Sequence, residues 1–215
     1  MLEFLPALQR QSFEKLMTGS FHYRPCLDEH RCVFLHVPKC AGSSVAHALF
    51  GGGVGHLPAT YYQLADPDKY RRYYKFTFVR NPWDRLYSAY NYLLAGGAAS
   101  RDGDWSNFIG GFASFDDFVR SWVTAENIER QLHLIPQYRY LTNRFGVIDL
   151  DFIGRFENLA ADFVTVAAAL KTPVTLPHIN RSDRVSSYRK AYTPETRAIA
   201  AAAYHRDIEL FGYEF

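Results

Sequence analysis

A strand, a tight loop and the start of a helix follow one another within residues 32–49, and this succession constrains the fold more than any other stretch. It opens with a strand-like apolar run, Cys32-Val33-Phe34-Leu35, and strand character stops at Pro38. Lys39 and small residues come next, after which residues 45–49 take up helical spacing. Such a junction directs backbone N–H groups and the positive end of the helix dipole at one point. It predicts a binding site for a phosphate or sulfate group.

The order of residues within the loop separates this site from the usual nucleoside triphosphate site. A Walker A loop reads G-x-x-x-x-G-K-[ST], with the lysine directly before the hydroxyl that holds magnesium. Here Lys39 precedes Gly42, and no position reads Gly-Lys-Ser. The loop therefore indicates an anion site of another kind, to which Lys39, Ser43 and Ser44 add hydrogen-bond donors.

A second junction of the same design follows later in the chain. Its strand-like segment is Lys75-Phe76-Thr77-Phe78-Val79, which ends at Arg80. Asn81 suits the N-cap of a helix and Pro82 suits its first position. An arginine at a strand's end, an immediate helix start and Ser88 on that helix predict a second anion site. At the mouth of a strand, Arg80 has few expected partners other than a ligand.

The alternation of strands with helices predicts an α/β class, a P-loop-like three-layer fold with a mostly parallel central sheet flanked by helices. Residues 147–156 give a third strand-like segment, and residues 159–170 and 193–210 give later helices. We expect residues 1–30 to form a helical leader that packs on the domain, and residues 31–215 to form a single domain. Ligands of such sheets bind beyond the carboxyl ends of the strands, where both junctions lie.

The segments between these elements carry weaker signals. Residues 95–112 are rich in glycine and small polar residues, which predicts a surface loop, with a lid over the substrate as the alternative. Ser114 and Asp117 predict a capping box, and residues 128–140 predict a helix interrupted at Pro136. A basic cluster lies in the aperiodic stretch before the last helix and binds donor or acceptor, or is a solvated loop. Its members are Arg181, Arg184, Arg189 and Lys190.

Composition and charge narrow the class of protein. The chain has 215 residues and a formal net charge of +2, too small to predict a nucleic acid or an anionic membrane as partner. Three cysteines without C-x-x-C spacing, Cys26, Cys32 and Cys40, predict reduced thiols. No apolar run approaches the ~20 residues of a membrane-spanning helix, and the N-terminus lacks the basic region of a signal peptide. We therefore expect a cytoplasmic protein.

Two ordered blocks resemble the signature blocks of the carbohydrate-type (family 2) sulfotransferases, especially their soluble bacterial relatives. The first is His36-Val37-Pro38-Lys39-Cys40-Ala41-Gly42-Ser43-Ser44, and the second is Phe78-Val79-Arg80-Asn81-Pro82-Trp83-Asp84-Arg85-Leu86-Tyr87-Ser88. Three shorter stretches are also similar: Gly154-Arg155-Phe156-Glu157-Asn158-Leu159, Pro177-His178-Ile179-Asn180 and residues 210–215. The resemblance covers roughly residues 31–215. Cys40 and Ala41 depart from the family's frequent threonine and glycine.

The resemblance implies 3′-phosphoadenosine 5′-phosphosulfate as donor and 3′,5′-diphosphoadenosine as product. The first block would hold the 5′-phosphosulfate, while Arg80 and Ser88 would hold the 3′-phosphate. The donor-binding residues so predicted are Pro38, Lys39, Cys40, Ala41, Gly42, Ser43, Ser44, Arg80 and Ser88. A sulfuryl group carries less charge than a terminal phosphoryl group, so we expect no metal requirement.

Sulfuryl transfer is an in-line displacement at sulfur that depends on positioning and on charge stabilisation. Lys39 would neutralise the charge that grows on the bridging oxygen. The family's Gly-His after the first helix falls on Gly55-His56, which implies His56 as the base, with Glu157 as the alternative. The acceptor is expected to be a hydroxyl, on a carbohydrate by resemblance.

Two other functions stay open on the sequence alone. A P-loop nucleotide kinase or phosphotransferase would share the fold, although magnesium chemistry requires an acid where the second strand instead ends in Arg80. A non-catalytic nucleotide- or glycan-binding module would keep the anion sites and lose turnover.

Overall fold

The computed structural model describes Leu8 and residues 22–97, 99–176 and 187–215. The chain divides into two compact units, each built from two separate stretches. The first unit comprises Met1–Arg80 and Gln137–Ile179, and the second comprises Asn81–Pro136 and Asn180–Phe215. Most of the predicted leader lies outside the described residues. The prediction of a single domain over residues 31–215 stays a prediction.

The first unit contains a three-stranded parallel sheet. Its strands are β1 (Cys32–Leu35), β2 (Tyr74–Val79) and β3 (Phe152–Arg155), in the order β1-β2-β3. Both strand pairs are parallel, and β2 is central. The predicted α/β class with a parallel sheet is confirmed. The third strand is shorter than the strand-like pattern of residues 147–156 indicated.

Helices alternate with these strands and follow them. They are α1 (Pro25–Glu29), α2 (Gly42–Phe50), α3 (Ala59–Ala65), α4 (Pro67–Arg72), α5 (Pro82–Leu94), α6 (Ala99–Gly110), α7 (Phe115–Trp122), α8 (Gln137–Leu141), α9 (Leu159–Ala169), α10 (Ser187–Lys190), α11 (Pro194–Ala203) and α12 (His205–Phe211), with 3₁₀ turns at Asn127–Arg130 and Phe156–Asn158. Among the described helices, none combines the length and apolar character needed to cross a bilayer.

Aromatic rings hold the sheet together. Phe34 of β1 stacks on Phe76 of β2 with ring centroids 4.7 Å apart, and the buried Thr77 hydroxyl donates to the Leu35 carbonyl at 2.7 Å. Gly154 of β3 pairs with Phe78, whose ring would lie 2.6 Å from any Cβ at position 154. Strands buried on both faces read as continuous apolar runs, as β1 does, whereas in β2 the buried Lys75 and Thr77 lie between apolar residues.

The second unit is helical and has its own core. Asn81 caps α5, because its side-chain oxygen accepts from the Trp83 amide at 3.1 Å. The core residues come from helices and turns of this unit and include Leu86, Ile109, Phe118, Leu134 and Tyr204. Trp83 and Tyr90 of α5 belong to the same cluster. The predicted N-cap of α5 is therefore present.

Three local predictions differ from the structure. Residues 95–112, predicted as a surface loop, contain helix α6, and the alternative of a lid stays a prediction. In residues 128–140, the helix predicted before Pro136 is a short 3₁₀ turn, and the helix after Pro136 is present as α8 in the first unit. The single last helix is two helices, since the backbone leaves helical geometry at Tyr204, whose buried hydroxyl donates to the Leu134 carbonyl at 2.6 Å.

Candidate functional site

The loop of residues 38–41 joins β1 to α2 with an unusual backbone. Lys39 and Ala41 both adopt left-handed conformations, with φ of 69° and 60° respectively. Each such non-glycine residue costs about 1 to 2 kcal/mol. Strain of this kind clusters at functional sites. The conformation thus singles out the same loop that the sequence predicted as an anion site.

The N-terminus of α2 lacks a side-chain cap among the described residues. Its N-cap is Ala41. The Ser44 and Val45 amides donate to the Ala41 carbonyl at 3.0 and 3.2 Å, and the N–H groups of this first turn carry the positive end of the helix dipole. Lys39 comes shortly before this turn in the sequence and is half-buried. Within the turn, Ser43 is exposed and Ser44 is half-buried. This arrangement favours an anion at the first predicted site.

Two histidines lie next to the start of α2. The rings of His36 and His56 have centroids 4.2 Å apart, and His36 is only 5% exposed. The His36 imidazole packs so closely over Gly42 that a Cβ at position 42 would overlap it. His56 is half-buried. The structure therefore brings His56 to the first turn of α2 through His36.

The backbone of His36 fixes the tautomer of His56. Nδ1 of His56 lies 3.0 Å from the His36 carbonyl oxygen. A carbonyl can only accept a hydrogen bond, so Nδ1 carries the hydrogen, and the lone pair of the neutral ring is on Nε2. That is the protonation pattern that a general base requires.

Arg80 lies at the carboxyl end of β2 and has more protein partners than expected. The residue as a whole is only 5% exposed. Its guanidinium donates from Nη1 to the Lys39 carbonyl at 3.0 Å and lies 4.0 Å from the centre of the Phe156 ring. The expectation that Arg80 has few partners besides a ligand was wrong. Because Phe156 follows β3, Arg80 links the carboxyl ends of all three strands.

Gln137, which the sequence analysis did not identify, is completely buried beside Arg80. Its side-chain oxygen accepts from the Arg80 amide at 2.9 Å, and its nitrogen donates to the Arg80 carbonyl at 2.8 Å. The same oxygen accepts from the buried Cys40 thiol at 3.3 Å. Gln137 thus connects the loop to the end of β2.

The two remaining candidate residues are Ser88 and Glu157. Ser88 is half-buried on α5 in the second unit, and its role stays a prediction. The alternative base Glu157 is exposed in the 3₁₀ turn after β3, and the exposed His47 bonds to the Ser43 carbonyl at 3.1 Å.

Two further predicted features are described only in part. Of the basic cluster, Arg189 and Lys190 are described and exposed, whereas Arg181 and Arg184 lie outside the described residues, as does the stretch 177–180. Within the described part of the chain, no group of three or more His, Cys, Asp or Glu residues could hold a metal ion.

The second unit contains a groove of about 670 Å³ beside α11 and α12. Trp83, Arg197, His205 and Phe215 are among the residues that line it. The indole of Trp83 is already bonded to the Arg197 carbonyl at 3.0 Å. The residues predicted to bind the donor or to act in catalysis do not line this groove.

The parallel sheet and the loop at its carboxyl edge place the chain among α/β proteins of the P-loop-like type. In comparisons with known proteins, the model of the Sulfotransferase family matches residues 56–214. The chain therefore belongs to the sulfotransferase family. The matched stretch includes His56, Arg80 and Ser88 and begins after Lys39.

The curated relatives are carbohydrate sulfotransferases. Carbohydrate sulfotransferase 14 from human is 30% identical over 198 residues, and that from mouse is 28% identical over 197 residues. Each match covers 79% of this chain and 51% of the relative, so the chain spans about half the length of the curated relatives it matches. No solved structure matches. The resemblance to carbohydrate-type sulfotransferases is confirmed.

Proposed function

We propose that this chain moves a sulfuryl group from 3′-phosphoadenosine 5′-phosphosulfate to a hydroxyl group of a carbohydrate. Membership of the sulfotransferase family supports the reaction, and the similarity to human and mouse carbohydrate sulfotransferase 14 supports a carbohydrate acceptor. The uncapped start of α2, with Lys39 in the preceding loop, supports a donor that carries an anionic group.

One observation carries the proposal more than the others: His56 is held next to the start of α2 with its Nε2 as the basic atom. The bond from Nδ1 to the His36 carbonyl sets the tautomer, and the contact of His36 with Gly42 sets the location. These contacts support a base close to the proposed anion site, as the transfer of a group from a bound donor requires.

The proposed step balances without a redox partner. Nε2 of His56 accepts the proton of the acceptor hydroxyl while the hydroxyl oxygen forms a bond to sulfur. The S–O bond to the donor phosphate breaks, and its electron pair leaves with 3′,5′-diphosphoadenosine. The Lys39 ammonium and the dipole of α2 stabilise the charge that grows on that oxygen. Arg80 adds a permanent positive charge at the same edge of the sheet.

Nucleotide binding tests the donor assignment. Isothermal titration with 3′,5′-diphosphoadenosine, ATP, and ATP with magnesium compares the three nucleotides on the same protein. We expect 3′,5′-diphosphoadenosine to bind with or without magnesium and at least about tenfold more tightly than ATP, since only it carries a 3′-phosphate. Binding of ATP alone, dependent on magnesium, would identify a kinase-like protein instead.

The base is tested by comparing His56→Ala with His47→Ala, both in the first unit. Transfer of labelled sulfate to a panel of glycans is measured together with 3′,5′-diphosphoadenosine affinity. We expect His56→Ala to lower kcat by about 10²- to 10⁴-fold and to leave nucleotide affinity within about twofold. His47→Ala, which alters an exposed histidine, is expected to retain kcat. Equal turnover of the two variants would rule out His56 as the base, and nucleotide binding without transfer by the wild type would favour a binding module.

A further inference from the structure

Gln137 satisfies a peptide group that the sheet cannot. Arg80 lies one residue beyond the end of β2, so its amide and carbonyl fall outside the register of β2 with β3, which ends at Val79 and Arg155. Buried backbone groups need hydrogen-bond partners. The carboxamide of Gln137 supplies both, accepting from the Arg80 amide at 2.9 Å and donating to its carbonyl at 2.8 Å. A side chain here acts in place of a neighbouring strand.

The same carboxamide belongs to a closed ring of contacts. The Cys40 thiol donates to the Gln137 oxygen at 3.3 Å, and the Arg80 guanidinium donates to the Lys39 carbonyl at 3.0 Å. Lys39 and Cys40 are adjacent in the loop, so Arg80 is tied to the loop twice, once by its own side chain and once through Gln137. All four residues lie in the first unit.

We infer that Gln137 is a positioning residue of the donor site, and the inference rests on the proposed function. It holds the loop and Arg80 at a fixed separation, and that separation has to match the distance between the two anionic ends of the nucleotide. Only an amide both donates and accepts at this place. Glutamate lacks the donor for the Arg80 carbonyl, and methionine has the right shape but neither strong group.

The test compares three variants with the wild type. Gln137→Met removes the three hydrogen bonds at nearly constant volume, and Gln137→Glu keeps the acceptor alone. Gln63→Met is the matched control, because the Gln63 oxygen accepts from the Arg144 amide at 3.0 Å, also in the first unit. Affinity for 3′,5′-diphosphoadenosine is titrated well below the melting temperature of each variant.

We expect Gln137→Met to raise the Kd by about 10- to 100-fold, Gln137→Glu to raise it less, and Gln63→Met to leave it within about twofold. A lower melting temperature of Gln137→Met with an unchanged Kd would overturn the inference, because it would show a purely structural role. Should Gln137→Met fail to fold, Cys40→Ala replaces it. Loss of the thiol bond alone is expected to raise the Kd by about two- to fivefold, and an unchanged Kd would count against the tie.

Hydrogen exchange separates this inference from the proposed function. In the ligand-free protein we expect Gln137→Met to exchange faster at the Arg80 amide and in the loop of residues 38–41, whereas Gln63→Met is expected to match the wild type there. Unchanged exchange at these positions would overturn the tie even if the nucleotide binds. If Gln137→Met exchanges faster but the protein does not bind 3′,5′-diphosphoadenosine, the link that Gln137 makes between Arg80 and the loop is confirmed and the donor assignment is wrong.

Discussion

The contact between His36 and Gly42 depends on the absence of a side chain at position 42. Gly42 is the first residue of α2 and is buried, and the His36 imidazole occupies the space that a Cβ would take. His36 in turn lies against His56 and provides the carbonyl that fixes its tautomer. Because residue 42 has a hydrogen in place of a side chain, His36 can pack against the start of α2, and His56 lies against His36.

We expect Gly42→Ala to destabilise the protein by about 1 to 3 kcal/mol, as overpacking does, because the ring of His36 has to move. In an unhindered helix the same change stabilises by roughly 0.5 to 1 kcal/mol. The free energy of unfolding is measured by urea denaturation. Gly110→Ala is the matched control, since a Cβ on this last residue of α6 would meet no neighbour within 4 Å among the described residues. Equal effects of the two changes would show that His36 yields without cost.

At this scale the sequence identified residues that stand in ordered motifs and missed those defined by distant contacts. Lys39 and Arg80 could be proposed because each follows a strand end, and His56 because the resemblance implied it. Gln137 is 57 residues from Arg80 and 97 from Cys40, so no local pattern indicates the bonds between them. The local sequence offers only a glutamine directly after a proline, where α8 begins.

Among the elements, the strength of the local pattern decided which predictions succeeded. The strand β1 is a short apolar run, β2 is rich in aromatic and β-branched residues, and α5 has its cap, its first-position proline and its apolar face in order. Helix α6, by contrast, contains glycine and small polar residues that do not favour a helix, and it is stabilised by tertiary contacts. Ile109 is fully buried, and the rings of Trp105 and Trp122 have centroids 5.6 Å apart. Such support is absent from any local window of sequence.

The N-cap of α7 provides a test at the scale of an element. The Ser114 hydroxyl oxygen accepts from the Asp117 amide at 3.2 Å, and the Asp117 carboxylate accepts from the Ala113 amide at 3.0 Å. The predicted cap is present, although the reciprocal bond reaches Ala113 rather than Ser114. We expect Ser114→Ala to lower the free energy of unfolding by about 1 kcal/mol, because a first-turn N–H loses its partner.

Ser121→Ala is the control for the cap, since the same truncation is made near the end of α7. The Ser121 hydroxyl donates to a side-chain oxygen of Asp117 at 3.0 Å, and Ser121 itself is exposed. We expect a change within about 0.5 kcal/mol in urea denaturation. A loss at position 121 as large as that at position 114 would mean that the cap contributes nothing specific.

At the scale of the whole molecule, the two units alternate along the chain. The connection from β2 to β3 contains the whole of Asn81–Pro136, so the third strand of the first unit's sheet follows only after a long insertion. Sequence patterns located the strands on either side of that insertion. They could not show that the chain returns to the first unit at Gln137, because a change of unit leaves no mark in local periodicity.

Both units also bury acidic groups that keep their protons, and this predicts how stability depends on pH. Burial raises the pKa of the Cys32 thiol from 9.0 to about 12, with a smaller contribution from Cys26. Burial, with Asp149 and Asp151 nearby, raises the pKa of Tyr70 from 10.0 to about 12. In the second unit burial likewise raises the pKa of Tyr204. In the unfolded chain these groups ionise at their ordinary pKa values.

The sign follows from proton binding. Above about pH 9 the folded state binds more protons at these sites than the unfolded state, so stability is complete below that pH and falls as pH rises toward 12. Each group contributes a slope of up to roughly 1.4 kcal/mol per pH unit.

Urea denaturation measures this dependence. We expect the free energy of unfolding to begin to fall near pH 9, where the Cys32 thiol ionises in the unfolded chain, and to fall more steeply above pH 10, where the tyrosines do so. Cys32→Ala is expected to remove the first part of the decline, and tyrosinate absorbance from the buried tyrosines should appear only as the protein unfolds. Constant stability from pH 9 to pH 11, or full tyrosinate absorbance in the folded protein, would show that these groups exchange protons freely with solvent.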